Sequence, residues 1–200
     1  MGTNEEFILN AISCSTNVLF YDTQSNSLLS DAARRDLFHT CKPFLLATQN
    51  EEIQIEAVRV ISNLSRHSAI CNYFLEDKTF IQTLCCVLDH NLRDLVFYSV
   101  GIIINISLHG KAEKIFSQLF SQSDCNILEK LVDVLRDANL EDMDLARVAA
   151  KALHNLQKVP DANKYWSESL VERLDELTQS LGDDLDGIMV SLAEYNILIK

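Results

Sequence analysis

The chain has 200 residues, and 48% of them are hydrophobic, which supports a well-filled core and excludes a disordered chain. Only 5 glycines and 2 prolines leave little room for long loops, as helices joined by tight turns require. A net charge of −12 argues against nonspecific phosphate binding, which needs surplus Lys and Arg, although it leaves room for a local basic groove.

Residues 5–20 read as a helix, and the polar stretch 22–30 as a turn region. Residues 32–46 supply two short helices with a boundary near Pro43, whose ring cannot continue a helix. Asn50-Glu51-Glu52 opens a helix over 51–65, with acid in the first turn where the helix dipole favours it. A short helix follows around Ile70 to Phe74, and Thr79 is expected to cap another over 80–88. The helix over 92–108 carries the run Val100-Gly101-Ile102-Ile103-Ile104, dense enough to be covered on more than one side, and Gly110 is expected to stop it. Helices over 112–120, 127–135 and 145–156 come next, and Pro160 ends the last. Beyond it Leu170, Leu174, Leu177 and Leu181 share one helical stripe, and from residue 161 nine acidic residues face three basic ones. A solvated outer face of a terminal repeat and an acidic binding tail both account for that bias, and the first is expected here.

One pattern runs through the chain. Aligned on asparagine, the copies are Asn17, Asn63, Asn105, Asn155 and, more loosely, Asn196, spaced 46, 42, 50 and 41 residues apart. Six residues earlier stand Ala11, Ala57, Ser99, Ala149 and Val190; ten earlier stand Phe7, Ile53, Leu95, Leu145 and Asp186. Two earlier stand Ser15, Ile61, Ile103, Leu153 and Glu194. The offsets −10, −6, −2 and +1 step along one face of a helix, so each copy is expected to be buried on one side. The period predicts an all-α, right-handed solenoid of three-helix repeats over residues 1–200, with units at about 26–66, 69–109 and 111–158 and a capping unit at about 161–200. The first copy, over 5–20, lacks the two short helices of a whole unit, which fits an unusual cap or a chain cut from something longer.

Asn63-Leu64-Ser65 at the end of an Ala57-led apolar helix resembles the hallmark of armadillo repeats, and the resemblance covers the whole chain. Three segments are similar to the C-terminal part of an armadillo family of cilia and flagella. They are Glu5-Glu6 leading to Asn17 and Tyr21, Ile61 to Ser65 followed by Ile70-Cys71, and Leu131-Val132-Asp133-Val134-Leu135-Arg136-Asp137. The resemblance implies an armadillo-type fold and an adaptor in axoneme assembly, with radial-spoke or intraflagellar-transport components as partners, in the cytoplasm and cilium. A static structural component of the axoneme and a regulator of a small GTPase stay open as alternatives.

Armadillo stacks line a concave groove with the third helix of each repeat, and the asparagine amide can bond both backbone groups of an extended peptide. Asn17, Asn63, Asn105 and Asn155 form a candidate ladder of this kind; the alternative is that they bond helix ends within the stack. Four residues before the asparagines, where importin-type armadillos carry tryptophan, stand Ser13, Arg59, Gly101, Lys151 and Leu192, which disfavours carriage of basic localisation peptides. Arg59 and Lys151 would suit acidic or phosphorylated ligands, or would be solvated surface charges. Six cysteines without paired spacing, including vicinal Cys85-Cys86, are expected to pack as small hydrophobes in a reducing compartment. The five histidines show no metal-ligand spacing, and Asp183-Asp184-Leu185-Asp186-Gly187 lacks the ligands of a calcium loop and reads as a turn. No phosphate loop or nucleophile motif is present, so neither an enzyme nor a metal or cofactor is expected. Nor do the residues suggest nucleic-acid binding or membrane insertion: no run of 18 apolar residues occurs, and Met1 to Glu6 lacks the regions of a signal peptide. They do not determine an oligomeric state.

Overall fold

The computed structural model describes residues 3–23, 26–120, 126–138 and 142–159, with Glu168 and Glu172 besides. All elements among the described residues are helices: α1 Thr3–Tyr21, α2 Asp31–Cys41, α3 Phe44–Ala47, α4 Glu51–Leu64, α5 Ser68–Glu76, α6 Lys78–Val87, α7 Arg93–Ser107, α8 Ala112–Phe120, α9 Ile127–Ala138 and α10 Met143–Gln157. The expected cap over 161–200, with its leucine stripe and aspartate turn, lies outside the described residues, as does Pro160. The chain divides into two compact units, Met1–His109 and Gly110–Lys200.

The boundaries follow from local chemistry. Ser30, Asn50, Asp77 and Asp142 each accept a backbone N–H from three residues on, at 3.0 to 3.2 Å, and so satisfy a donor that the first helical turn leaves open. Asp77, not Thr79, therefore caps α6; the Thr79 hydroxyl donates instead to Asp77 Oδ1, because the helix starts two residues earlier than expected. Gly110 is not the stop of α7 either. Leu108 caps that helix in the right-handed region, and no left-handed residue is needed.

In the first unit α1, α4 and α7, the anchor helices, pack in sequence, α1 on α4 and α4 on α7. Short helices back them: α2 and α3 lie on α4, while α5 and α6 lie on α7. Phe38, Phe74 and Phe80, all fully buried, join the short helices of successive repeats, with ring centroids 4.5 to 5.0 Å apart. Rings buried to this extent stabilise by about 1.5–3 kcal/mol each, before any gain from edge-to-face geometry. In α4 and α7 the registers −10, −6, −2 and +1 are buried throughout, as the periodicity requires. The first copy departs from it: Phe7, Ala11 and Val18 of α1 are exposed, because α1 packs on α4 alone among the anchor helices. In the second unit α9 packs on α10 and on α8, and the same four registers of α10 are buried.

One polar cluster sits inside the first unit. The Asp22 carboxylate takes two bonds from Arg34, Nε at 2.8 Å and Nη2 at 2.9 Å, and two backbone N–H groups, from Leu28 and Leu29. His67 Nε2 stands 3.2 Å from Asp22 Oδ2. All three side chains are buried; the bonds to Asp22 pin the turn after α1 to the start of α2, while the His67 Nε2 beside it has no hydrogen-bond partner among the described residues. The bond from Arg34 holds the Asp22 carboxyl down at about 2, against the opposing effect of burial. Burial, reinforced by the Arg34 charge, pushes the His67 imidazole below its ordinary value.

Cys14, Cys41, Cys71 and Cys86 are free thiols, and burial pushes Cys41 and Cys71 up to about 12. Three cysteines depart from the expectation of buried free thiols, and Cys14 does so by being exposed. Cys85 is disulfide-bonded, and Cys86, on the opposite side of α6, is exposed; linear spacing does not reveal which thiols a fold brings together.

Candidate functional site

Each of α1, α4, α7 and α10 also has an open stripe. At offsets −7, −4 and 0 stand Asn10, Ser13 and Asn17 on α1, then Glu56, Arg59 and Asn63 on α4. On α7 they are Tyr98, Gly101 and Asn105, and on α10 Val148, Lys151 and Asn155. Every one of these residues is half-buried or exposed, while the apolar registers of α4, α7 and α10 are closed. Twelve positions on four helices behave alike because one helical stripe, 3.6 residues per turn, points away from the core in each.

In the first unit polar contacts lace this face together. Thr16 of α1 donates its hydroxyl to Glu56 Oε2 of α4 at 3.0 Å. The other oxygen of Glu56 pairs with Arg59, whose guanidinium lies 5.8 Å from the ring centre of Tyr98 on α7. Beside Tyr98, Phe97 meets it edge-on at 5.4 Å and carries the Arg93 guanidinium at 4.8 Å. Gly101 faces α4, but a Cβ there would stand 3.7 Å from Ser62 Oγ, an ordinary contact, so the packing of α4 and α7 does not depend on a glycine.

The predicted ladder is thus only partly free. Asn105 donates from Nδ2 to Ser65 Oγ at 2.8 Å, spanning from α7 to the end of α4, while Ser65 donates in turn to the Ser62 carbonyl. That half of the Asn105 amide holds the stack, and its oxygen has no partner among the described residues. The Asn63 and Asn17 amides have none at all among the described residues, and Asn63 is half-buried where Asn17 is exposed. Arg59 is held by Glu56 and Tyr98 and is not a freely solvated charge. Lys151 is exposed on α10, and Asn155 is half-buried there; both lie in the second unit. The structure therefore gathers Arg59, Asn63 and Asn105 on the faces of two packed helices, with Asn17 on the adjoining α1.

Glu56, Tyr98 and Thr16 were not foreseen as part of this face. The signal was available for two of them: Glu56 and Tyr98 share offset −7, one helical turn beyond Arg59 and Gly101. A pocket lined by Tyr73, Glu76, Asp77, Lys78 and Thr79 lies on the short helices. Among the described residues no group of three or more metal-ligating side chains converges, and no helix is long and apolar enough to cross a membrane.

No family model matches the chain. Among curated proteins it is 28% identical over 175 residues to armadillo repeat-containing protein 2 of Mus musculus, 87% of this chain and 19% of that protein. To armadillo repeat-containing protein 2 of Homo sapiens it is 27% identical over 187 residues, 92% of this chain and 20% of that protein. The chain thus spans about a fifth of the length of the curated relatives it matches. Among solved structures it is similar to a crystallised engineered protein at a TM-score of 0.59 and 19% identity, covering 90% of this chain and 76% of that one. That last likeness concerns the fold alone.

Proposed function

We propose that this all-α armadillo-type chain, a relative of the armadillo repeat-containing proteins above, is a non-catalytic scaffold whose anchor-helix face holds a segment of a partner protein. The observation that carries the reading is the half-buried Asn63 amide beside the Asn105 oxygen, both without a partner among the described residues, at one register on two packed helices. Between them the two side chains offer the NH2 group of Asn63 and two amide oxygens to an extended backbone, and the flanking Tyr98 and Phe97 rings offer apolar surface to its side chains. The finer role is an adaptor in assembly or transport of axoneme components of motile cilia or flagella, acting in the cytoplasm and cilium. It rests on the sequence resemblance, with radial-spoke or intraflagellar-transport proteins as the partners implied. A permanently held axonemal component is the contrasting reading, and recovery in the salt-resistant instead of the soluble or transport fraction of extracted axonemes separates the two.

The test is a pull-down from ciliated-cell extract with wild type, Asn63→Ala and Lys151→Glu. Removing the Asn63 amide is expected to weaken capture by about 1–3 kcal/mol, where a backbone group of the ligand is left unpaired. Lys151→Glu reads the sign of the ligand charge through a salt-dependent loss or gain. Arg59→Glu is a poorer probe, because it also sets a new carboxylate against Glu56. Undiminished recovery of the same partners by both variants refutes the anchor-face reading.

A further inference from the structure

Gly101 sits in the middle of α7, where a glycine weakens the helix and the neighbouring helix does not require one. Outside the backbone of its own helix, a Cβ there would have only Ser62 Oγ within contact distance among the described residues, at 3.7 Å. The direction in which a side chain would leave the helix is therefore open. One turn earlier on the same face stand Phe97 and Tyr98, and one turn later Asn105, all half-buried like Gly101 itself. From α4 the Arg59 guanidinium comes to 5.8 Å from the Tyr98 ring centre, and Ser65 holds the Asn105 amide. The missing side chain leaves a notch on the anchor face of the first unit, with aromatic rings at one end and amides at the other.

The walls of the notch say which side chain it suits. Both cations bordering it are paired within their own helix, Arg59 with Glu56 and Arg93 with Asp94, so a charged group entering it meets no unpaired opposite charge. A lysine or arginine would also set its charge beside the Arg59 guanidinium. An aromatic ring meets surfaces of its own kind. Phe97 and Tyr98 already stand edge to face at 5.4 Å, with the Arg93 guanidinium 4.8 Å from the Phe97 ring centre, and a further ring over Gly101 extends that series. A segment whose backbone is held at Asn63 and Asn105 passes one helical turn from Gly101, within reach of one of its own side chains.

We propose that the notch at Gly101 is a subsite for one aromatic side chain of the partner segment, an inference that rests on the anchor-face reading above. Gly101 sets the specificity by leaving the room, and Tyr98 by supplying the wall.

The chain has 5 glycines, so isotope labelling at glycine alone gives a simple nitrogen–proton spectrum, in which the Gly101 amide is identified by its absence from Gly101→Ala. The full chain is titrated with four side-chain analogues: p-cresol, isobutanol, butylammonium and propionate. p-Cresol is expected to shift the Gly101 signal saturably, with a dissociation constant on the order of 10 mM for so small a ligand, and the others to leave it in place. Tyr98→Ala, checked by thermal melting, should abolish the shift while Gly101 remains as reporter. A silent p-cresol titration overturns the inference, as does a shift that Tyr98→Ala leaves unchanged or that isobutanol or either ion reproduces. Gly101→Leu fills the notch with a good helix former and is expected to melt no lower than wild type, while capturing the partner about tenfold more weakly. If Asn63→Ala reduces capture and a normally melting Gly101→Leu does not, the notch is overturned and the anchor face stands. If p-cresol binds at Gly101 but neither variant reduces capture, the anchor-face reading falls, and with it a partner side chain as the occupant.

Discussion

Arg34→Met isolates the Asp22 carboxylate in the interior while keeping most of the stem volume of the side chain. In the native protein Arg34 makes two bonds to Asp22 and further bonds to Asp31 and Ser27, and both its side chain and that of Asp22 are buried. The lowering of the Asp22 carboxyl from 3.8 to about 2 corresponds to about 2 kcal/mol of stability at neutral pH. Without the guanidinium that contribution goes, and burial raises the carboxyl instead, so the total loss is expected at about 3–5 kcal/mol. Urea unfolding followed by circular dichroism at pH 7 reads it as a lower midpoint at unchanged slope. The sign of the pH dependence follows from the direction of each shift. A depressed carboxyl stabilises above its unfolded value and loses that contribution as pH falls from about 4 towards 2, so the wild type should weaken across that window. In Arg34→Met the loss should begin at higher pH, because the uncompensated carboxylate takes up its proton earlier. A cost below about 1 kcal/mol at pH 7, with the acid profile unchanged, would refute the account of the cluster as a buried pin.

Asn105→Ala should cost about 1 kcal/mol of stability, since it removes the bond to Ser65, whereas Asn63→Ala should stay within about 0.5 kcal/mol; thermal melts of the two variants compare them directly. Ala57→Asp and Ile103→Asp each put a charge at a fully buried register and should abolish the cooperative transition of the first unit, so near-wild-type melting of both would mean the buried face is misassigned. His67, whose imidazole is held below its ordinary value, makes the native state lose stability as pH falls below about 6.5, the unfolded value, towards the lower folded one. His67→Gln should flatten the stability profile below about pH 6.5, and a profile as steep as wild type would assign that slope to other groups.

Much of the fold was readable because it repeats. The recurrence of Ala57, Ile61 and Leu64 at Ser99, Ile103 and Ile106 fixes both the helical period and the inner side, and Pro43 marks a real boundary, standing at the start of α3. Helix ends were less legible: Asp77 and Thr79 are both good caps, and only the path of the chain decides between them. The asparagine ladder was found by register alone, but register does not say which amides are already used. Asn105 is tied to Ser65, forty residues away, and Arg59 to Glu56 and Tyr98, relations that depend on how α4 and α7 meet. The Asp22, Arg34 and His67 cluster left no signature either, since each residue type is ordinary on a surface and the three come from two turns and a helix start. The exposed stripe of α1 has the opposite origin. Its residues follow the buried pattern closely, and only the packing around α1 shows that nothing described here covers them.

The claim that the anchor face binds a partner is tested most directly by site-specific photocrosslinking. A photoreactive residue placed at position 63 reports on the open stripe of α4, and one at position 82, where Gln82 is exposed on α6, reports on the short helices. With ciliated-cell extract the account predicts a crosslinked partner from position 63 that is absent from position 82 and is lost when Tyr98→Ala is added. Equal crosslinking from both positions, or a partner captured from position 82 alone, would contradict it.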